Sequence, residues 1–594
     1  MKTTRRPDLT SALGVLRRLA RTYVPIVRWL PAYPAAWRRN DILAGVASWG
    51  VMVPVAMAYA ELAGVPPEVG LTTAFAALAL YAILGTSRHL KVTTSSTMAV
   101  MSAAVVAPLA AGDPTRYLGL SAALALVVGA ILIAGGLIRI GFISDFLAKS
   151  VVTGFVFGLA ITIIVGQLPK LLGVPATSGG IVEQLIGLAQ NLDETNPWTL
   201  AVGLITIGGV LLLRAIAPRI PGALVMLVLG IVASAALDLE SHGVSVVGEV
   251  STGRPSLSLP AIQLTDLPFL AVGAAGIVFL AVGESLGAAR AFASRHGYDI
   301  DPDQELIALG GANVGSGLFG GFTVDASLSQ SATGEAAGTK SQVSSLVTSA
   351  LILTTAIFLA PLFQDLPNAV LAGILVTAVL SLMDVPELRR FWALRRTDFL
   401  VALVAIVGVI TTSVLVGMLI AVGLSLASLL YRASRPYMAV LVEVEGRTQA
   451  FADLSRHPEG RPVPGMLLLR LDAPIYFFNA NVARSEVLKL LDESSPRPRV
   501  VVLDIGATGD LDTTASDMLR DLVGRLRGEG VEVALAQVKG PVRDRMRRAG
   551  LIDLIGQGRL YRTVGEAVRV LTPDVPAPAE ATPARDDGEA PGTS

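Results

Sequence analysis

The sequence contains no cysteine, only four histidines, and no net charge, since 47 lysines and arginines stand against 47 aspartates and glutamates. Without cysteine there are no disulfides, thiolate metal sites or cysteine nucleophiles. Without a basic excess the electrostatic footprint of a nucleic-acid binder is missing. No nucleophile–base pair, metal-ligand cluster or phosphate loop stands out, so neither an enzyme nor a metal or cofactor is expected. Charge is scarce throughout: 16% of the 594 residues are charged and 52% are hydrophobic. The mean hydropathy of +0.62 is far above that of a soluble protein. The chain reads as one large membrane unit with an appendage.

Crossing the hydrocarbon core as a helix takes about 20 apolar residues. Such windows recur at 42–60, 69–87, 117–138, 150–169, 195–213, 220–237, 267–283, 341–364 and 366–383. The window 399–431 is too long for one upright span. It reads as a hairpin turning near Thr411 to Ser413, or as one strongly tilted helix. Two more windows, 92–112 and 307–324, are apolar but interrupted by polar residues and glycines, and 327–339 makes sense only as a half-helix. The prediction is a polytopic α-helical membrane domain over 41–432 with about 14 spans. Residues 1–40 precede it as a basic amphipathic segment (Val15, Leu19, Tyr23, Ile26, Trp29, Leu30) lying along the membrane surface, with no cleaved signal peptide.

Loop charge gives the orientation. With the N-terminus inside and fourteen alternating spans, the inside loops hold Arg88, Lys91, Arg139, Lys149, Arg214, Arg219, Arg290, Arg295, Lys340, Arg389, Arg390, Arg395 and Arg396. The outside loops hold only Arg116, Lys170 and Arg254. This is the positive-inside pattern, and it predicts a cell-membrane protein with both termini cytoplasmic.

After Arg435 the pattern changes. Strand-like runs at 467–471, 500–505 and 531–536 alternate with amphipathic helical stretches near 482–493, 513–528, 541–549 and 564–571. That alternation predicts a small α/β domain over 437–572. The Pro/Ala/acid-rich tail 573–594 has the composition of a disordered segment.

Two apolar spans break into small and hydroxylated residues. One break is Val92-Thr93-Thr94-Ser95-Ser96-Thr97, and the other runs from Gly320 through Asp325 and Ser327-Leu328-Ser329-Gln330 to Ser331. Each falls in the third span of its half, the placement expected of an inverted-repeat transporter. A helix that starts inside the bilayer leaves N–H groups unpartnered and carries partial positive charge. Two such starts facing one another make an anion site without a cationic side chain. The alternative reading is that Ser, Thr and Gly merely allow close helix packing.

Glu284 follows 17 uncharged residues. An intramembrane carboxylate points to ion or proton coupling. The alternative is a structural pair with a neighbour such as Arg290, or a place near the cytoplasmic interface. Asp325 caps the second half-helix or binds a cation. Glu61 reads as interfacial.

Several stretches resemble the SulP anion permease family, sulfate permease-like and related to prestin. They are Asp41 to Gly45 with Met57 to Pro67, Glu284 to Arg290, Tyr298 to Gly310, and Gly315 to Phe322 leading into Ser327 to Ser331. The resemblance covers roughly 40–570. It implies fourteen spans in two inverted seven-span repeats, with a core and a gate domain, assembling as a homodimer. The anion would sit between the starts of spans 3 and 10, at Ser95, Ser96 and Thr97 and at Ser327, Leu328, Ser329 and Gln330, with Tyr59 beside it. Glu284 matches the acidic residue of span 8 that is tied to proton or sodium coupling. The implied activity is secondary transport of a small anion by an elevator-like movement, with sulfate first and bicarbonate or C4-dicarboxylates as alternatives. An uncoupled anion channel and a nucleobase permease are the competing readings.

The soluble part resembles a STAS domain. Val502 to Ile505 followed by Asp512-Thr513-Thr514 looks like its strand and the loop opening a helix, and Thr514 matches a position that is phosphorylated in bacterial regulators. The plainer reading is that Asp512 to Thr514 cap that helix. Two departures stand out: Val55 follows Pro54 where many members carry Gln or Glu, and Gln330 follows Ser329 where many carry a cation.

Overall fold

The computed structural model describes residues 23–141, 149–177, 179–217, 220–248, 255–260, 262–412, 414–444 and 450–572. Val15 and Leu19 of the N-terminal segment, the tail 573–594, Arg219, Arg254 and the hairpin residue Ser413 lie outside them. The chain divides into two compact units, Met1–Leu426 and Ala427–Ser594.

Fourteen helices occupy the places of the fourteen expected spans. In chain order they are α1 (Arg38–Leu62), α2 (Pro67–Leu84), α3 (Ser96–Ala110), α4 (Pro114–Leu137), α5 (Lys149–Leu172), α6 (Pro197–Ile216) and α7 (Gly222–Leu237). The second seven are α8 (Leu267–His296), α9 (Pro302–Leu318), α10 (Leu328–Ala336), α11 (Val343–Thr354), α12 (Asn368–Leu380), α13 (Arg396–Thr411) and α14 (Val414–Ala433). Among the described residues, eight helical stretches are long and apolar enough to cross a membrane. The remaining places hold shorter or broken helices, and the third of each half, α3 and α10, is short because its first half is extended chain.

Local chemistry sets the boundaries. Pro114, Pro197 and Pro302 stand at the first turn, where a missing N–H costs nothing. Asp113, Asn196 and Asp301 accept the exposed N–H groups of those helices. The window 399–431 is a hairpin: α13 ends at Thr411 and α14 begins at Val414.

The helices form two packed groups. In one, α1 to α4 and α8 to α11 pack together; in the other, α5, α6, α7, α12 and α13 do so; α1 touches α7 and α12 across the divide. The first group owes its tightness to small residues. Gly129 of α4 and Gly310 of α9 cross so closely that a Cβ on either would lie 2.7 Å from the other's carbonyl oxygen.

One cation is not where loop counting places it. Lys91 is wholly buried within the first group rather than in a solvated loop. Glu61, read as interfacial, pairs with Lys170 of α5 at 2.5 Å.

The second unit is an α/β domain with a six-stranded sheet, whose strands lie side by side in the order Phe451–Asp453, Met438–Glu443, Met466–Leu471, Val500–Asp504, Glu532–Ala536 and Leu560–Tyr561. These strands are β3 (Met438–Glu443), β4 (Phe451–Asp453), β5 (Met466–Leu471), β6 (Val500–Asp504), β7 (Glu532–Ala536) and β8 (Leu560–Tyr561). β5 to β8 are parallel, and β3 is antiparallel to both β4 and β5. β6 is buried along its whole length, which is why it reads as an unbroken apolar run. The expected cap is Asp512, whose carboxylate accepts the N–H of Ala515 at 2.7 Å and of Phe477 at 2.7 Å. Thr514 is exposed on the first turn of the helix Thr513–Gly528.

Candidate functional site

The two polar breaks meet. Val92–Thr93 and Asp325–Ala326 form a two-stranded antiparallel ribbon, β1 and β2, with Val92 opposite Ala326 and Thr93 opposite Asp325. Extended backbone at this depth needs partners within the protein. The ribbon supplies some, and side chains supply the rest. Asn313 of α9 clamps Val324, accepting its N–H at 3.0 Å and donating to its carbonyl at 2.9 Å. Ser285 of α8 accepts the Ala326 N–H at 3.0 Å, Ser316 donates to the Phe322 carbonyl, and Thr323 donates to the Met98 carbonyl.

Both half-helices carry the hydroxyl caps their sequences suggest. Ser95 accepts the N–H of Met98 at 3.2 Å, and Ser327 accepts that of Gln330 at 3.4 Å. Asp325, one of two readings of which was a cap, therefore does not cap α10; it lies in β2. The halves are also laced directly. The Ser327 N–H donates to the Lys91 carbonyl at 3.0 Å, the Lys91 N–H to Ser331 Oγ at 2.8 Å, and Gln330 Nε2 to the Thr94 carbonyl at 3.3 Å.

The predicted residues fall around this junction. Ser95, Ser96, Thr97, Ser327, Gln330 and Tyr59 are buried; Leu328 and Ser329 are exposed. Tyr59 interacts with Ser96 and feels the charge of Asp325. Tyr59, Val55, Ser329 and Gln330 line a cavity of about 790 Å³ between the two helix groups, with Thr377 of α12 and Arg214 of α6 on its far side. Ser95 to Thr97 and Leu328 are not among its lining residues. Thr514 belongs to the other unit.

Glu284 lies well inside α8, which continues twelve residues beyond it, and it is partly exposed. The group it meets is Asp325. Asp325 is fully buried, neighbours Ser95, and has no hydrogen-bond partner on either carboxylate oxygen. The hydroxyls of Thr93 and Thr94 and Oε1 of Gln330 are likewise buried without a partner. The junction thus gathers unsatisfied polar atoms around two helix N-termini, with two carboxylates beside them. Unpaired polar groups at this depth are costly unless they serve a ligand.

Sequence reading missed three residues. Asn313 and Glu305 are each buried in α9. Glu305 accepts from Tyr81, from the N–H and hydroxyl of Thr86, and from the Ser87 N–H, all within 2.6–2.9 Å. Asn313 stands in the window 307–324, read as interrupted by its polar residues, and Glu305 just before it; the two hold the ribbon and the α2 end in place. The third is Lys91, whose burial a loop count hides.

Residues 39–406 match the Sulfate permease family, and residues 457–567 match the STAS domain. A "Probable sulfate transporter" of Mycobacterium tuberculosis is 34% identical over 547 residues, covering 92% of this chain and 98% of that one. The fold is similar to that of the murine Solute Carrier 26 family member A9 anion transporter in the inward-facing state, with a TM-score of 0.85, 22% identity and 96% of each chain covered. The transmembrane domain of the cyanobacterial bicarbonate transporter BicA aligns with a TM-score of 0.59 and 26% identity, covering 66% of this chain and 99% of that one. The chain is a multi-pass membrane protein that belongs to the sulfate permease family and carries a STAS domain after α14.

Proposed function

We propose that the protein is a secondary active transporter of a small anion, with sulfate as the first substrate to test. The observation that carries this reading is the junction of α3 and α10. Two capped half-helix N-termini meet across a two-residue ribbon, beside a cavity reached by Ser329 and Gln330. Unpartnered N–H groups and aligned peptide dipoles bind an anion without a side-chain cation. Ser95, Ser96, Thr97, Ser327 and Ser329 add hydroxyl donors, and Tyr59 borders the site. The names of the relatives favour sulfate, and that of BicA keeps bicarbonate as an alternative.

Coupling is assigned to Glu284 with Asp325. Two carboxylates side by side repel unless a proton or a cation joins them. A proton taken up there would offset the charge of the anion carried alongside. The helix group containing α1 to α4 and α8 to α11 is the moving body of an elevator-like cycle, and the α5–α7, α12 and α13 group is the gate. Loop charge supports cytoplasmic termini, and the resemblance supports a homodimer.

Binding tests the reading. Purified protein titrated with sulfate, bicarbonate and succinate should gain thermal stability with at least one of them, since a ligand of the native state raises the midpoint. No shift with any of the three, at concentrations up to tens of millimolar, contradicts an anion site.

A further inference from the structure

Among the described residues Lys91 is the only lysine or arginine that is buried, at 0% exposure. Its ammonium donates to Ser344 Oγ at 3.2 Å and to Ser345 Oγ at 3.4 Å at the start of α11. Hydroxyls solvate the charge without neutralising it. Among the described residues no carboxylate lies within ion-pair distance of Lys91 Nζ; the carboxylate it feels is that of Asp41. Asp41 is itself held further out, accepting the N–H groups of Lys340 and Ser341 and the hydroxyls of Ser341 and Tyr33. A buried, unneutralised ammonium inside a membrane domain is expensive and calls for a compensating role.

Its position indicates that role. The backbone of Lys91 is clamped to the first turn of α10 through Ser327 and Ser331. The side chain then runs along α10 past Gly334, where an added Cβ would lie 2.6 Å from Lys91 Cε. Gly334 is five residues beyond Ser329, a rise of about 7.5 Å. The ammonium therefore stands roughly 10 Å behind the N-terminal turn of α10. At that separation and an effective dielectric constant of about 20, one positive charge strengthens binding of a unit negative charge by roughly tenfold, less what Asp41 offsets. The carboxylates of this group act against an anion. Asp325 lies in the ribbon with Glu284 beside it, while Glu305 is tied up by four donors at the end of α2.

We propose that Lys91 is an affinity-determining residue for the transported anion, acting through space from behind α10. The inference rests on the anion site proposed above. The helix starts carry only partial positive charge, and Lys91 is the buried cation placed to add to it.

The test is the affinity of the purified full-length protein for sulfate, or for bicarbonate or succinate where that is the anion that binds, in four variants. Lys91→Met removes the charge and should weaken binding roughly tenfold or more. Ser344→Asp keeps the lysine but places a carboxylate against its ammonium, and it should weaken binding similarly while the protein stays folded. Lys91→Met combined with Gln330→Arg should recover most of the loss, a rescue that a packing role does not give. Ser329→Ala reports on the site itself. If wild-type protein binds none of sulfate, bicarbonate and succinate, or Ser329→Ala leaves the affinity for the anion that binds unchanged, the site reading fails. If wild-type binding is present and weakened by Ser329→Ala, yet Ser344→Asp and any folded Lys91→Met protein bind as wild type, the role of Lys91 alone is overturned.

Discussion

Thr93 and Asp325 stand opposite each other in the β1–β2 ribbon, and each is followed two residues later by the serine that caps a half-helix. Because the ribbon is antiparallel, α3 and α10 leave it in opposite directions with their N-termini turned towards the junction. This relationship brings two weak polar breaks in the sequence into one junction.

Removing a hydroxyl from either helix start should weaken anion binding. Ser329→Ala, which faces the cavity, is expected to reduce sulfate affinity several-fold with little change in stability. Ser95→Ala removes a cap as well, so it should also cost about 1 kcal/mol of stability. Titration of the purified variants, read together with their melting temperatures, separates the two effects; unaltered affinity in both variants moves the site elsewhere.

Glu284→Gln should abolish dependence on a proton gradient while leaving anion binding largely intact. Asp325 is the carboxylate neighbouring Glu284, so Asp325→Asn should also disturb coupling. Uptake into liposomes with and without an imposed gradient measures this. Unchanged gradient dependence in Glu284→Gln removes that carboxylate from the mechanism.

The crossing of α4 and α9 makes a prediction about the fold. Gly310→Ala would bring a Cβ to 2.6 Å from Ile133 Cγ1 and 2.7 Å from the Gly129 carbonyl. Overpacking of this kind costs about 1–3 kcal/mol, and more where backbone is the obstacle. The variant should melt several degrees lower than wild type in the same detergent. An unchanged melting temperature would mean that the two helices cross less closely.

His89, in the loop between α2 and β1, gives a pH dependence. Burial, and then the His296 ring stacked on it at 4.0 Å, push its pKa down from 6.5 to about 4, against an opposing pull from Glu335 and a smaller push from Lys340. Its other close groups are the Tyr298 hydroxyl at 3.3 Å, the Phe292 ring, and Arg88, which stacks on Tyr298. A histidine whose folded pKa is depressed stabilises the fold above its unfolded pKa, and that stability is lost as the pH falls through the folded value. Wild-type protein should therefore lose thermal stability between about pH 6.5 and 4, and His89→Gln should lose less over the same interval. Parallel melting curves for the two proteins would contradict this.

Much of this was legible in the sequence because the bilayer is a demanding solvent. A run such as 117–138 can only be a buried helix, and a break such as Val92 to Thr97 can persist only where backbone groups find partners. The α/β unit was legible because an unbroken run such as Val500 to Asp504 suits a strand covered on both faces. What stayed hidden depends on contacts between distant segments. Nothing local to Asn313 says that it clamps Val324, eleven residues on, and nothing local to Lys91 says that Ser344 and Ser345 bury it. Hydropathy windows also could not tell that α3 and α10 would each spend their first residues on a shared ribbon.

Coupled anion transport is decided by uptake of labelled sulfate, bicarbonate and succinate into liposomes holding the purified protein, with a proton gradient imposed inward. At least one of these anions should accumulate above its external concentration, and the accumulation should collapse when the gradient is dissipated and be lost in Glu284→Gln. No uptake under any gradient, or passive equilibration indifferent to it, would contradict coupled anion transport.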